Sequence, residues 1–145
     1  MASERSIVVT RMLSATPERV FAAWTQPELM ARWFFPSQGW TALVTADVRV
    51  GGSYRIEMRD EAGSIHVQHG SYRVIEPVSR LVFTWSCPEL GVEDSIVTIE
   101  LTAKNDKTQL ILQHELPPDP NIRREHEEGW VGCLSQLERI MQTQT

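Results

Sequence analysis

Four histidines, two cysteines and a scattered set of aromatic residues are the groups in this 145-residue chain with the chemistry to do more than fill space. His66 and His69 stand three apart in a β-rich stretch, so a regular strand sends them to opposite faces and they cannot share a metal ion. His114 and His126 fall near the end of a strand and the start of a helix, where they could meet beside Glu115 or Glu127. A histidine buried there would titrate close to neutral pH. The plainer alternative is that each satisfies a backbone or solvent contact. Cys133 lies on an apolar helical stripe, which suits a small hydrophobe better than a thiolate nucleophile. The chain has no GxSxG elbow and no phosphate-cradling glycine loop, and Gly51-Gly52 between two strand patterns fits a turn. Arg55, Glu57 and Arg73 could do acid–base work if buried. Alternation sets Arg55 and Glu57 opposite Tyr54 and Ile56, on a solvated face. The residues assemble no catalytic set and no metal site, no cofactor is expected, and an enzyme is the less favoured class.

What remains is a lining. Small-molecule sites are mostly apolar with a few polar anchors. The residues of that character are Trp33, Phe35, Tyr54, Ile56, Val67, His69, Tyr72, Phe83, Trp85, His114, His126, Trp130 and Cys133. Gly129 and Gly132 belong with them, because each costs a helix roughly 0.8–1 kcal/mol relative to alanine and asks for a reason. They either keep a helix thin beside a ligand or a close strand, or they bend it and make room for Trp130 and neighbouring short helices.

The elements that must position these groups are written in two periods. Thr16, Pro17 and Glu18 are an N-cap, a proline at the first helical position and a first-turn acid, so a helix starts at Pro17. Thr25 to Glu28 repeats the signal with capping-box spacing and starts a second short helix carrying Leu29, Met30 and Trp33. Ile7 to Leu13 precedes both as a strand. From Trp40 the period is two: Leu43 to Val48, Tyr54 to Arg59, Ile65 to Ile75 with Gly70 as a bulge or bend, then the strands of Leu81, Phe83 and Trp85 and of Val97, Ile99 and Leu101. Asn105-Asp106-Lys107 closes a hairpin into Leu110, Leu112 and His114. Pro117 to Pro120 then launches a helix to about Gln142, with a stripe of Ile122, His126, Trp130, Cys133, Leu134, Leu137, Ile140 and Met141. No βαβ alternation occurs, so the class is α+β with an antiparallel sheet.

Length bounds this to a single domain, residues 1–145, able to bury roughly 70% of its unfolded surface without metal or disulfide staples. Fourteen Lys and Arg against nineteen Asp and Glu give a net charge of −5 without a long like-charge run. That balance argues against nucleic acid or an anionic membrane as partner. The opening MASERSIVV has no signal-peptide pattern and no segment approaches the roughly 20 apolar residues of a membrane span, so a cytoplasmic protein with reduced thiols at Cys87 and Cys133 is expected. A homodimer is the commonest arrangement open to such a chain.

This order of elements, with the motifs VFAAWTQPELMARWF, DVRVGGSYRIEM, GSYRVIEPVSRLVFTW and HEEGWVGCLSQLERI, resembles the SRPBCC superfamily. Within it the chain is similar to the family named after the C-terminal domain of the activator of heat-shock protein 90 ATPase, from about Ile7 to Met141. The resemblance implies a helix-grip fold: a curved seven-stranded antiparallel sheet wrapped around the long C-terminal helix, with two short helices after strand 1 closing one end. It implies less about chemistry, since one fold hosts many functions. Three expectations follow: binding of a small apolar or aromatic ligand between sheet and helix, a chaperone partner, or a cyclase- or aromatase-like enzyme with titratable groups converging in the same cavity. Trp33, Phe34 and Phe35 would then form a lid over either a packed core or a void.

Overall fold

A computed structural model describes residues 6–143 of the chain, so the leader reading of the first residues lies outside it in part. The elements run β1 (Ser6–Leu13), α1 (Pro17–Thr25), α2 (Pro27–Met30), β2 (Thr41–Ala46), β3 (Ser53–Arg59), β4 (Ile65–Glu76), β5 (Arg80–Cys87), a 3-10 turn at Pro88–Leu90, β6 (Val92–Lys104), β7 (Lys107–Glu115) and α3 (Pro120–Thr143). The seven strands form one antiparallel sheet in the order β1-β7-β6-β5-β4-β3-β2. β1 and β2 are its edges, and α3 lies along the inward face beside β1, with Arg123 donating to the Ser6 carbonyl at 3.0 Å. This is the α+β class that the element order implies and the helix-grip architecture that the family resemblance implies.

α1 starts as its sequence dictates: the Thr16 hydroxyl accepts from the Arg19 N–H at 3.3 Å and Pro17 fills the first turn. The second start signal is built differently. Gln26, not Thr25, is the cap residue, and it caps through backbone geometry alone. Thr25 instead turns its hydroxyl back to donate to the Phe21 carbonyl at 2.8 Å, a bond that β-hydroxy side chains make readily in a last helical turn. The capping box expected from Thr25 and Glu28 therefore does not form. α2 also ends at Met30, so Trp33 sits in the turn beyond it rather than on the helix.

The core is one cluster between sheet, α3 and the short helices, with Leu13, Val20, Leu110, Leu112, Leu134 and Leu137 fully buried. Trp24, Trp33 and Phe34 are part of it. Trp33 stacks on Phe34 at 4.6 Å, Phe34 meets Trp130 at 5.6 Å and Trp85 at 6.1 Å, and the Trp33 indole donates to the Ala23 carbonyl at 2.9 Å. Rings of this size dominate burial energetics, so the turn after α2 is pinned to α3 and β5 by apolar contact. Gly132 lets this happen: a Cβ there would lie 2.1 Å from the Pro36 carbonyl oxygen.

Two irregularities decide which side chains face inward. The β4–β5 ladder pairs His69 with Ser86 and Tyr72 with Phe83, then slips by one residue before Val74. Between those pairs the Thr84 carbonyl lies over Gly70, 2.0 Å from where a Cβ would stand, and accepts the Tyr54 hydroxyl. Gly70 is thus a point of close backbone approach, while the register shift comes after Tyr72. On β6 a second shift lies opposite Trp85 and Cys87, where Asp94 takes φ 52° and donates its N–H to the Ser86 hydroxyl. Ser95 stays in phase with the inward Val97, Ile99 and Leu101, and the extra residue beyond it turns Val92 inward where regular alternation would have placed Glu93.

Candidate functional site

A cavity of about 160 Å³ opens between the sheet and the first half of α3. β3, β4 and β5 supply its sheet wall through Met58, His66, Gln68, Trp85 and Cys87, and α3 supplies the other through His126, Gly129, Trp130 and Cys133. Pro36 and Trp40 close one side, and the turn after β5 closes another with Glu89 and Leu90. The mouth carries exposed Glu89 and Glu125. Gly129 answers part of the question its cost raised: no atom outside the helix lies within 4 Å of where its Cβ would be, so it leaves cavity space. Gly132 has the other role, close packing against Pro36.

The expected lining residues divide into four groups. Trp85, His126, Trp130 and Cys133 line this cavity. Tyr54, Ile56, Tyr72 and Phe83 instead surround a separate void of about 10 Å³ with Trp24, Met30 and Phe34, room for no more than a water molecule. Trp33 and His114 are fully buried behind the cavity, and Phe35 is half-buried while its neighbour Phe34 takes the core position. Val67 and His69 point the wrong way. Tyr72, Gly70, Gln68 and His66 share the inward face, because the register shift comes only after Tyr72, and alternation then turns Val67 and His69 outward. His69 borders a shallow depression of about 480 Å³ on the outer face, with Ser86, Pro88, Gly91, Glu93 and Asp94. That depression is larger, but no large apolar side chain lines it. The signal that could have found His66 and Gln68 was parity counted back from Tyr72, and Ser95 was legible in the same way, by alternation counted back from Leu101, Ile99 and Val97.

His114 and His126 do meet, ring against ring at 5.2 Å. Around His114 the hydrogen bonds run in one direction. The Trp130 indole N–H donates to His114 Nδ1 at 3.0 Å, so Nδ1 carries no proton. The Ser95 hydroxyl donates to the Trp85 carbonyl at 2.6 Å, leaving its oxygen to accept from His114 Nε2–H at 2.8 Å. A second proton on this imidazole would face an N–H. Burial, and then the neighbouring His126, hold the His114 pKa well below the ordinary histidine value. His114 is therefore a neutral structural strut.

His126 is neutral for a related reason: burial lowers its pKa, opposed by the Ile122 carbonyl, to which Nδ1–H donates at 2.9 Å. That bond fixes the tautomer and leaves Nε2 as a lone-pair acceptor. Nε2 has no partner among the described residues, and neither do two other buried atoms of cavity-lining side chains, the Trp85 Nε1–H donor and the Gln68 Oε1 acceptor. His126, Trp85 and Gln68 are 6%, 5% and 7% exposed. Burial raises both thiols, Cys87 and Cys133, so neither wall cysteine is a thiolate at neutral pH. Burial likewise keeps Tyr72 protonated with its pKa pushed up to about 12. Arg55 and Glu57 pair with each other at 2.9 Å on the outer face.

His66 governs the mouth. Its Nε2 meets Asp60 at 2.9 Å, its Nδ1 meets Glu89 at 2.8 Å, and its ring stacks on Trp40 at 5.2 Å. The Asp60 hydrogen bond is the main cause that raises the His66 pKa; burial opposes it and Glu89 reinforces it. As an imidazolium it ties together β4, the β3–β4 turn and the turn after β5. No group of three metal-ligating side chains comes together among the described residues, and no helix of the structure is long and apolar enough to cross a membrane.

Comparison with solved structures places this architecture among bacterial proteins of the same fold. Protein CV1439 from Chromobacterium violaceum is 31% identical over 98% of this chain and 100% of its own, with a TM-score of 0.83. CalU16 from Micromonospora echinospora is 25% identical over 95% of this chain and 76% of its own, with a TM-score of 0.73. DynU16, a protein in the dynemicin biosynthetic locus, is 26% identical over 96% of this chain and 48% of its own, with a TM-score of 0.78. No curated protein matches the chain. The family model for Activator of Hsp90 ATPase homolog 1-like proteins matches residues 14–142, which span both short helices, six of the seven strands and α3, and the chain belongs to that family.

Proposed function

We propose that this protein binds a small aromatic or apolar molecule in the cavity between the sheet and α3. The observation that carries the reading is the unsealed space itself: aromatic and apolar walls from Trp40, Met58, Trp85, Leu90 and Trp130 enclose about 160 Å³, and Gly129 leaves a helix position bare beside it. A chain selected only for stability would fill such a space, since voids forfeit packing energy and a helical glycine adds its own cost. The volume sets the size of the ligand portion that the cavity holds. It lies below the roughly 300–1,000 Å³ of sites for drug-sized molecules and close to the roughly 150 Å³ of an apolar cavity that holds benzene.

The test is a thermal-shift series with one- and two-ring aromatic compounds. A ligand at a hundred times its Kd stabilises the fold by about 2.7 kcal/mol, which raises the Tm of a domain of this size by roughly 5–10 °C. A panel that leaves the Tm unmoved, with a crystal structure showing Trp40 or Trp130 swung into the space, would overturn the proposal. Catalysis in the same cavity is the second reading, favoured by the approach of His114 and His126. It has less support, because of these two only His126 lines the cavity and His114 is locked neutral. The family membership also motivates a pull-down with heat-shock protein 90.

A further inference from the structure

Three buried polar atoms belonging to side chains that line the cavity lack a hydrogen-bond partner, and the senses of two of them, on Trp85 and His126, define a complementary ligand. Trp85 Nε1–H can only donate; His126 Nε2, with its proton committed at Nδ1, can only accept; Gln68 Oε1 also accepts. A plain hydrocarbon would leave all three unpaired. A carboxylate would present only acceptors to two acceptors and would have to pass Glu89 and Glu125 at the mouth. We propose, building on the reading of the cavity as a small-aromatic site, that its ligand is a neutral single-ring phenol. The hydroxyl accepts from Trp85 and donates to His126, and the ring packs against Trp130. The rings of Trp85 and His126 lie 6.4 Å apart at 73°, Trp85 and Trp130 lie 4.9 Å apart, and the volume admits one aromatic ring with a small substituent. A hydroxyl is the smallest group that is donor and acceptor at one atom, and at neutral pH a phenol keeps its proton.

The test is calorimetric titration of the full chain at pH 7 with four probes: benzene, anisole, phenol and benzoate. Phenol is expected to bind about tenfold more tightly than benzene, the yield of two neutral hydrogen bonds. Anisole, which accepts but cannot donate, is expected to fall several-fold short of phenol, and benzoate to show no binding. In Trp85→Phe, which also alters the apolar wall, the ratio of phenol to benzene affinity should fall several-fold. Benzene, anisole and phenol binding equally would overturn the phenol assignment and leave the apolar-site reading standing. Benzoate binding as tightly as phenol would overturn it too. Failure of all four probes to bind would overturn both. The anisole comparison needs no variant, so the assignment is decided even where Trp85→Phe does not fold.

Discussion

Alanine at Gly132 and alanine at Gly129 should move stability in opposite directions, although both replace a glycine inside the same helix three residues apart. Each gains roughly 0.8–1 kcal/mol of helix propensity. At Gly132 the new methyl would stand 2.1 Å from the Pro36 carbonyl oxygen and 2.9 Å from its carbon and Cα, and these are backbone atoms that cannot rotate away. The turn carrying Trp33 and Phe34 must retreat, and overpacking of this kind costs about 1–3 kcal/mol, at the upper end where backbone moves. The net expectation is a loss of about 2 kcal/mol. At Gly129 nothing outside the helix lies within 4 Å, so the propensity gain survives almost whole. The two variants should therefore differ by about 3 kcal/mol, or roughly 6–12 °C in Tm for a domain of this size. Urea unfolding with a shared m-value measures the difference directly. A Gly132→Ala protein as stable as Gly129→Ala would refute the assignment of Gly132 to close packing and of Gly129 to open space.

Two further perturbations probe the histidines. The His66 pKa is raised and that of its partner Asp60 lowered, each chiefly by the hydrogen bond between them, so the pair stabilises the fold fully between the unfolded values of 3.8 and 6.5. Its contribution is lost as pH rises through the folded His66 value or falls through the folded Asp60 value. The Tm advantage of the parent over His66→Gln should vanish on the alkaline side, and an NMR titration placing His66 below 6.5 would contradict this. His114 behaves oppositely: its folded pKa is depressed, so below about pH 6.5 the unfolded chain takes a proton that the fold refuses, and stability falls with acidification. His114→Phe should remove that part of the slope and, by orphaning the buried Trp130 N–H, cost about 1–3 kcal/mol at pH 8; a neutral effect on urea unfolding would show that the chain of bonds from Trp130 to Ser95 is not required.

The sheet, the long helix and the start of α1 were legible because each is specified locally. Thr16-Pro17 satisfies the first N–H groups of α1 whatever surrounds it, and alternation at Tyr54, Ile56 and Met58 marks a buried face wherever the strand docks. Local signals fail where two are compatible with the same residues. Thr25 could cap α2 or bond back to Phe21, and the buried turn after Met30 selects the second. Val67 and His69 have the residue character of a lining, but the register shift sits past Tyr72 and not at Gly70, so alternation turns both outward.

The chain by itself determined an α+β class with seven antiparallel strands and a long C-terminal helix, an apolar helical stripe that carries Cys133, and an aromatic cluster just after the short helices. Those properties follow from period, capping chemistry and apolar area, all carried by residues near one another in sequence. Only the tertiary structure decided what the cluster encloses. Trp33 and Phe34 pack as core, and the open space lies to one side, between Trp40, Trp85 and Trp130. The direction of the hydrogen bonds through Ser95, His114 and Trp130 was equally beyond the sequence, because contacts 10, 19 and 16 residues apart along the chain set it. Cavity volume and protonation are sums over partners that only docking brings together.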